Sequence, residues 1–263
     1  MAGGSVPFMF QVRDEGPVRW LIIDNPAHRN AVPFDQWERL AELLADFGTS
    51  DARVLVIRGA GEDFCSGADL GSSFSPGSVA SGYQVMAHVG RAAEVLHSLT
   101  KPTIAAVDGV AVGAGMNLAL GCDLVVATER ARFSEIFVKR GLTIDFGGTW
   151  LLPRRVGMAR AKELALTGRV LDAAEAERIG IVGRVVPVDR LHDEVSLLAA
   201  ELAAGAPLAQ RFIKAGLDRA FEMAFGEALA YEQRSQALLL ASEDVIEGVV
   251  AFVQKRVPEF KGR

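Results

Sequence analysis

Apolar residues along the first two thirds of the chain follow two alternating rhythms. Short, nearly continuous apolar runs at Val18–Ile23, Val54–Gly59, Thr103–Val107 and Leu124–Thr128 have the length and β-branched content of strands. Asp24-Asn25-Pro26 closes the first run with a turn signal. The run at 54–59 lacks polar alternation, as in a strand covered on both faces, and so predicts a parallel sheet. Between the runs the period lengthens to that of a helix. Pro33 opens a segment in which Phe34, Trp37, Leu40, Ala41, Leu44 and Phe47 share one face, with Gly48 as its stop; Trp37 reads as core. A second helix is predicted over 83–99 from Val85, Met86, Val89, Ala93 and Leu96, and it ends before Pro102, which biases Lys101 out of the helical region. The Ser- and Gly-rich stretch 71–82 between them predicts a mobile loop beside a ligand site.

From Ala159 onward the pattern is mostly helical. Asp172 is placed to cap a short helix that Gly180 ends, and 184–187 reads as a brief edge strand. Helices are predicted over 188–204, 207–220, 223–241 and 243–256, the last started by Ser242 with Glu243 and Asp244 in its first turn. That last helix carries Val245, Ile246, Val249, Val250, Phe252 and Val253, too apolar a face to stand alone, so it packs on the core or on a neighbouring subunit. The shift in composition puts a boundary near 190–205.

Composition narrows the classes of function. A chain of 263 residues builds one large α/β domain with an appendage, or two small domains. With 28 Lys+Arg against 33 Asp+Glu the net charge is −5, which argues against a protein that grips nucleic acid by bulk electrostatics; an anionic ligand needs a local basic patch. No apolar run reaches membrane-spanning length and residues 1–7 lack the pattern of a signal peptide, so a cytoplasmic protein is expected. Cys65 and Cys122 are far apart, and the four histidines at 28, 88, 97 and 192 are scattered; neither a metal site nor a disulfide is expected.

The candidate chemistry lies at glycine turns. Residues 107–123 read as a strand, a turn with small residues at Gly113, Ala114 and Gly115, and a helix start that brings bare backbone N–H groups up to a ligand. A second glycine turn, Gly61 to Leu70, directly follows a strand and offers a second backbone donor. Asp145 stands in the least regular part of the core, 132–155, between Ile144 and Phe146, with Gly147 and Gly148 leaving room for a ligand. It reads equally as a catalytic carboxylate or as the N-cap of a helix beginning near Gly148.

Several motifs in order make the chain resemble the crotonase family, the enoyl-CoA hydratase and isomerase superfamily. They are Asn25-Pro26-Ala27-His28-Arg29-Asn30-Ala31, Phe64-Cys65-Ser66-Gly67-Ala68-Asp69-Leu70, Lys101-Pro102-Thr103-Ile104-Ala105-Ala106-Val107-Asp108-Gly109, Gly113-Ala114-Gly115, Gly147-Gly148-Thr149, and the ending from Phe252 to Gly262. The resemblance implies an α/β crotonase fold of repeated ββα units over 1–195, holding the thioester site, and a C-terminal helical trimerisation region over 196–263. It implies a homo-oligomer, a trimer or dimer of trimers. It also implies an acyl-CoA thioester substrate, with no cofactor beyond the coenzyme A that the substrate carries.

Carried onto this sequence, the family's oxyanion hole falls on the backbone N–H groups of Ala68 and Ala114, within motifs that place Ala31, Ser66, Gly67, Asp69, Leu70 and Gly113 around the substrate. Arg29 resembles a basic residue near the nucleotide phosphates, and Lys255, Arg256 or Lys261 offer further charge, with solvated surface charge as the competing reading of each. The two glutamates with which the family's hydratases activate water fall at Asn117 and Phe137, where neither side chain exchanges a proton at neutral pH. Glu135, two residues before Phe137, reads as a surface acid, with a compensating role as the alternative.

Asp145 matches the aspartate of the family's dienoyl-CoA and ring 1,2-epoxyphenylacetyl-CoA isomerases, and Asn117-Leu118-Ala119-Leu120 and Thr149-Trp150-Leu151-Leu152-Pro153 look most like the latter. Flanking apolar residues raise such a carboxyl's pKa toward the working range. The acyl pocket is expected from Tyr83, Met86, Phe137 and Trp150 with the 71–82 loop. The resemblance therefore implies an acyl-CoA isomerase, with an enoyl-CoA hydratase and a non-catalytic acyl-CoA-binding protein as alternatives.

Overall fold

A computed structural model describes residues 9–71 and 77–263. Residues 1–8 and the centre of the 71–82 stretch, 72–76, lie outside the described residues. The described residues begin with a hairpin: β1 (Phe10–Glu15) pairs antiparallel with β2 (Val18–Ile23). The hydrophobic pattern gives no sign of β1, because it is an edge strand whose polar residues after Phe10 are largely exposed. Asp14 lies opposite Arg19 in the register and pairs with it at 2.7 Å.

After a single turn of 3-10 helix at Phe34–Gln36, α1 (Trp37–Thr49) buries Trp37, Leu40, Ala41, Leu44 and Phe47, the face its period predicts. Then follow β3 (Val54–Gly59), α2 (Val79–Ser98) and β4 (Thr103–Val107). α2 starts four residues earlier than its apolar period suggests, because the Ser78 side chain accepts from the Ser81 N–H and caps the new first turn. Residues 79–82, read as loop, are therefore helix. β5 (Val110–Val112) leads into α3 (Ala114–Gly121), and β6 (Leu124–Thr128) returns to the main sheet. The irregular stretch contains β7 (Arg132–Ser134), a 3-10 helix at Ile136–Arg140, and α4 (Gly148–Val156). α5 (Met158–Thr167), β8 (Leu171–Asp172), α6 (Ala173–Arg178) and β9 (Arg184–Val186) complete it. The side chain of Asp172 caps α6 by accepting from the Glu175 N–H.

The main sheet runs β1-β2-β3-β4-β6-β9, parallel from β2 onward. A smaller sheet, β5-β7-β8, stands beside it. Alternate residues of the main strands feed two separate cores. Leu55, Ile57, Ala105, Val107 and Val125 meet α1, α2 and α3 on one face, while Val54, Val56, Ile104 and Val126 meet Val195, Ala199 and Ala203 of α7 (Leu191–Ala204) on the other. Burial on both faces explains why β3 reads as unbroken apolar sequence. α8 (Pro207–Asp218), α9 (Phe225–Leu240) and α10 (Glu243–Gln254) close the chain, the last capped by Ser242. They leave Ile213, Phe225, Ile246, Val249, Phe252 and Val253 exposed. No described helix is long and apolar enough to cross a membrane.

Candidate active site

The segments that leave β3 and β4 at their C-terminal ends wrap one side of a cavity of about 740 Å3. This is where parallel α/β sheets place ligands, because the loops converge there and helix N-termini point inward. Residues 64–68 run along β5, with the Phe64 and Cys65 N–H groups donating to Val110 O and the Val112 N–H donating to Cys65 O. Gly67, at φ +94°, is where this strip meets the start of α3. A Cβ there would sit 2.8 Å from Val112 O and 3.3 Å from Ala114 N, so a side chain would drive the two backbones apart.

The N–H groups of Ala68 and Ala114 are left over by this arrangement. Val32 donates to Gly67 O and accepts from the Asp69 N–H, at 2.8 and 2.9 Å, which consumes the neighbours of Ala68 and turns its own N–H away from Val32. Ala114 is the first residue of α3, whose first N–H groups have no partner within the helix; the Gly113 N–H before it is spent on Ser134 O, and the helical bonding starts with Asn117 N–H to Gly113 O. Among the described residues neither the Ala68 nor the Ala114 N–H has a hydrogen-bond partner, and both residues line the cavity. The positive end of α3 adds to the pull on a developing negative charge.

Asp145 lines the same cavity. It does not cap α4: Gly147 holds that position in a left-handed conformation, and it is the backbone carbonyl of Asp145 that accepts from the Gly148 N–H. The side chain is thus free for chemistry. Phe146 next to it has φ +49°, unusual for a bulky residue, and is held there by its buried ring against Trp37 at 5.4 Å. Behind Asp145 lies Asn117, whose Nδ2 donates to Asp145 O at 3.0 Å and to Glu135 Oε2 at 3.4 Å. Gly148 makes room for that amide, since a Cβ there would fall 2.3 Å from Nδ2.

Glu135 corrects the sequence reading. It is 1% exposed, not a surface acid, because the chain turns from β7 into the 3-10 helix there and tucks the carboxyl under α3. Burial pushes Glu135 up to about 8; the Asn117 amide lowers it somewhat, and the charge of Asp145 raises it. Burial pushes Asp145 up to about 7. Burial thus favours the protonated form of both carboxyls, and Asp145, the one that faces the cavity, is shifted toward the range in which a group can take and return a proton.

Ser66, Gly67, Ala68, Leu70, Gly113, Ala114, Phe137 and Asp145 line the cavity, and Met86 of α2 joins them. The Phe137 ring packs beside Gly113, 3.6 Å from where a Cβ would stand, and gives that wall an apolar face. The other predicted residues lie elsewhere. Ala31 is buried, Arg29 is exposed with its Nε 3.9 Å from the Asp63 carboxylate, and Asp69 Oδ1 accepts from the Gly71 N–H. Trp150 is not part of the lining: α4 turns it outward, where the Arg154 guanidinium stacks on it at 3.6 Å and His97 meets it edge-on at 4.9 Å. Tyr83 is 80% exposed. Arg256 pairs with Glu247, and the Lys261 N–H donates to Asp244. Sequence reasoning missed Phe34, Ile136, Ile144 and Arg140 as lining residues. Ile136 and Ile144 are signalled only by their nearness to Phe137 and Asp145.

Comparison with known proteins gives the family of the chain. The sequence matches the enoyl-CoA hydratase/isomerase family over residues 14–263. It is 37% identical over 257 residues to a probable enoyl-CoA hydratase of Rhizobium meliloti, covering 96% of this chain and 97% of that protein. It is 39% identical over 253 residues to the 1,2-epoxyphenylacetyl-CoA isomerase of Escherichia coli K12, covering 95% and 97%. The crystal structure of an enoyl-CoA hydratase from Bacillus anthracis superposes with a TM-score of 0.93 at 30% identity, covering 97% of this chain and 100% of that one. The chain therefore belongs to the enoyl-CoA hydratase/isomerase family and has the crotonase fold.

Proposed function

We propose that this protein is an acyl-CoA isomerase, and that Asp145 carries the proton. The observation behind this reading is that Asp145 is the one carboxyl among the described residues that lines the cavity. The Asp145 carboxylate removes a proton from the carbon next to the thioester. The electrons move onto the carbonyl oxygen, where the N–H groups of Ala68 and Ala114 hold the resulting enolate or dienolate. The protonated Asp145 then returns the proton at a different carbon of the conjugated system. Each backbone donor contributes on the order of 3 kcal/mol in comparable sites. Asn117 and Phe137 leave no acid beside Asp145 in the cavity wall to activate water, and no cofactor is needed beyond the coenzyme A of the substrate. The E. coli relative, named a 1,2-epoxyphenylacetyl-CoA isomerase, supports an isomerisation.

The test is Asp145→Asn assayed on a panel of 3-enoyl-, dienoyl- and ring-epoxide CoA thioesters, together with proton exchange at the α-carbon in deuterated water. Loss of turnover and exchange is expected; unchanged turnover removes the mechanism. The second reading, an enoyl-CoA hydratase, is favoured by relatives named probable enoyl-CoA hydratases, and it requires water addition to crotonyl-CoA above background. Tight acyl-CoA binding with no exchange and no product would instead make the protein a binding module. Residues 196–263, with the exposed apolar faces of α9 and α10, are proposed to join subunits into a trimer or a dimer of trimers.

A further inference from the structure

Behind the cavity wall, three buried oxygens stand without a hydrogen-bond partner among the described residues: Asp145 Oδ1, Glu135 Oε1 and Asn117 Oδ1. All three are acceptors when both acids are ionised. The Asn117 Nδ2 donor is already divided between Asp145 O and Glu135 Oε2. A cluster of buried acceptors with one shared donor is unfavourable unless one of the carboxyls carries a proton, which turns an acceptor into a donor.

We propose that Glu135 is a positioning residue for Asp145: buried behind it and tied to its backbone carbonyl through Asn117, Glu135 keeps its proton while Asp145 is ionised, and the two carboxyls sense each other's charge. The proton on Glu135 spares a buried charge that only the Asn117 amide would solvate, and holds the site to a single negative charge. Release of that proton puts a second negative charge behind Asp145, which opposes the negative charge that develops on the enolate. Glu135 does not line the cavity, so it acts through Asn117 and through its field and not on the substrate.

The surroundings leave the pair to itself. Asp145 is the charged group acting on Glu135, and α3 presents only the neutral Asn117. On the 3-10 helix of Glu135, Lys139 and Arg140 are exposed; on α5, packed against it, so are Arg160, Lys162 and Glu163. On α4, Arg155 is spent on the carbonyls of Leu120 and Cys122, and Arg154 on Trp150.

The activity arm rests on the isomerase reading, but the first measurement does not. Carboxyl ionisations of the full chain are followed by carbon-13 NMR without substrate, in the parent, in Asp145→Asn and in Glu135→Gln. The parent is expected to have two carboxyls ionising above pH 6. Asp145→Asn should leave one, moved to lower pH because the neighbouring charge is gone. Glu135→Gln should also leave one, with the higher step lost. A Glu135 that ionises in the ordinary carboxylate range, or whose ionisation ignores Asp145→Asn, overturns the proposal. The parent and Asp145→Asn decide this even if Glu135→Gln does not fold.

The second measurement is the pH profile of α-carbon proton exchange. Above about pH 8 the parent rate is expected to fall as Glu135 ionises, a step that the Glu135→Gln profile should lack. Superimposable profiles also overturn the proposal. Absence of exchange with every thioester would sink the isomerase reading and leave the carboxyl titration to decide on Glu135.

Discussion

Asn117 Nδ2 lies 3.0 Å from the backbone carbonyl oxygen of Asp145, so the amide at the helix position where the family's hydratases carry an acid holds the loop that bears the acid which remains. Together with Phe146 in its left-handed conformation, this bond fixes the direction in which the Asp145 carboxyl enters the cavity. The carboxyl is aimed from behind.

That link predicts a specific non-additivity. Asn117→Ala removes a buried hydrogen bond, worth about 1 to 3 kcal/mol, and should lower kcat by about ten- to a hundredfold with a small change in KM. Gly148→Ala, whose Cβ would fall 2.3 Å from Asn117 Nδ2, should do the same by displacing the amide. Once Asn117 is alanine the clash is gone, so the double variant should be no worse than Asn117→Ala alone. A double variant with the product of the two losses would show that Gly148 acts independently of Asn117.

Ala114→Pro isolates one backbone donor. Proline is accepted at the first position of a helix, where its missing N–H has no helical partner to lose. The variant should fold, with an unchanged circular dichroism spectrum, and lose about a hundred- to a thousandfold in kcat. Full activity would remove Ala114 from the oxyanion site.

The raised carboxyls also predict how stability depends on pH. Burial lifts Glu135 above its ordinary value, to about 8, so the folded state binds its proton more tightly than the unfolded state does. The stabilisation is fully present below the ordinary glutamate range and is lost as pH rises through about 8, at about 1.4 kcal/mol per pH unit. Melting temperatures of the parent should therefore fall between pH 5 and pH 9 more steeply than those of Glu135→Gln. Equal slopes would contradict a buried, protonated Glu135.

The sequence by itself determined the parts of this protein that depend on near neighbours. The apolar runs of β2, β3, β4 and β6, the buried face of α1, the caps Asp172 and Ser242, and the glycine turns at 67 and 113 were all legible, because strand period, helix period and capping act over a few residues. Asp145 could be singled out, but not separated from a helix cap. Only the tertiary structure decided that, by giving the cap to Gly147 and leaving the carboxyl in the cavity. It also buried Glu135 beside Asn117, 18 positions away in the chain, and turned Trp150 out onto Arg154. β1 escaped notice because an edge strand can be polar and still pair through its backbone. Burial and charge coupling are set by what distant segments bring together, so the acid that looked like surface lies buried against Asn117 behind Asp145.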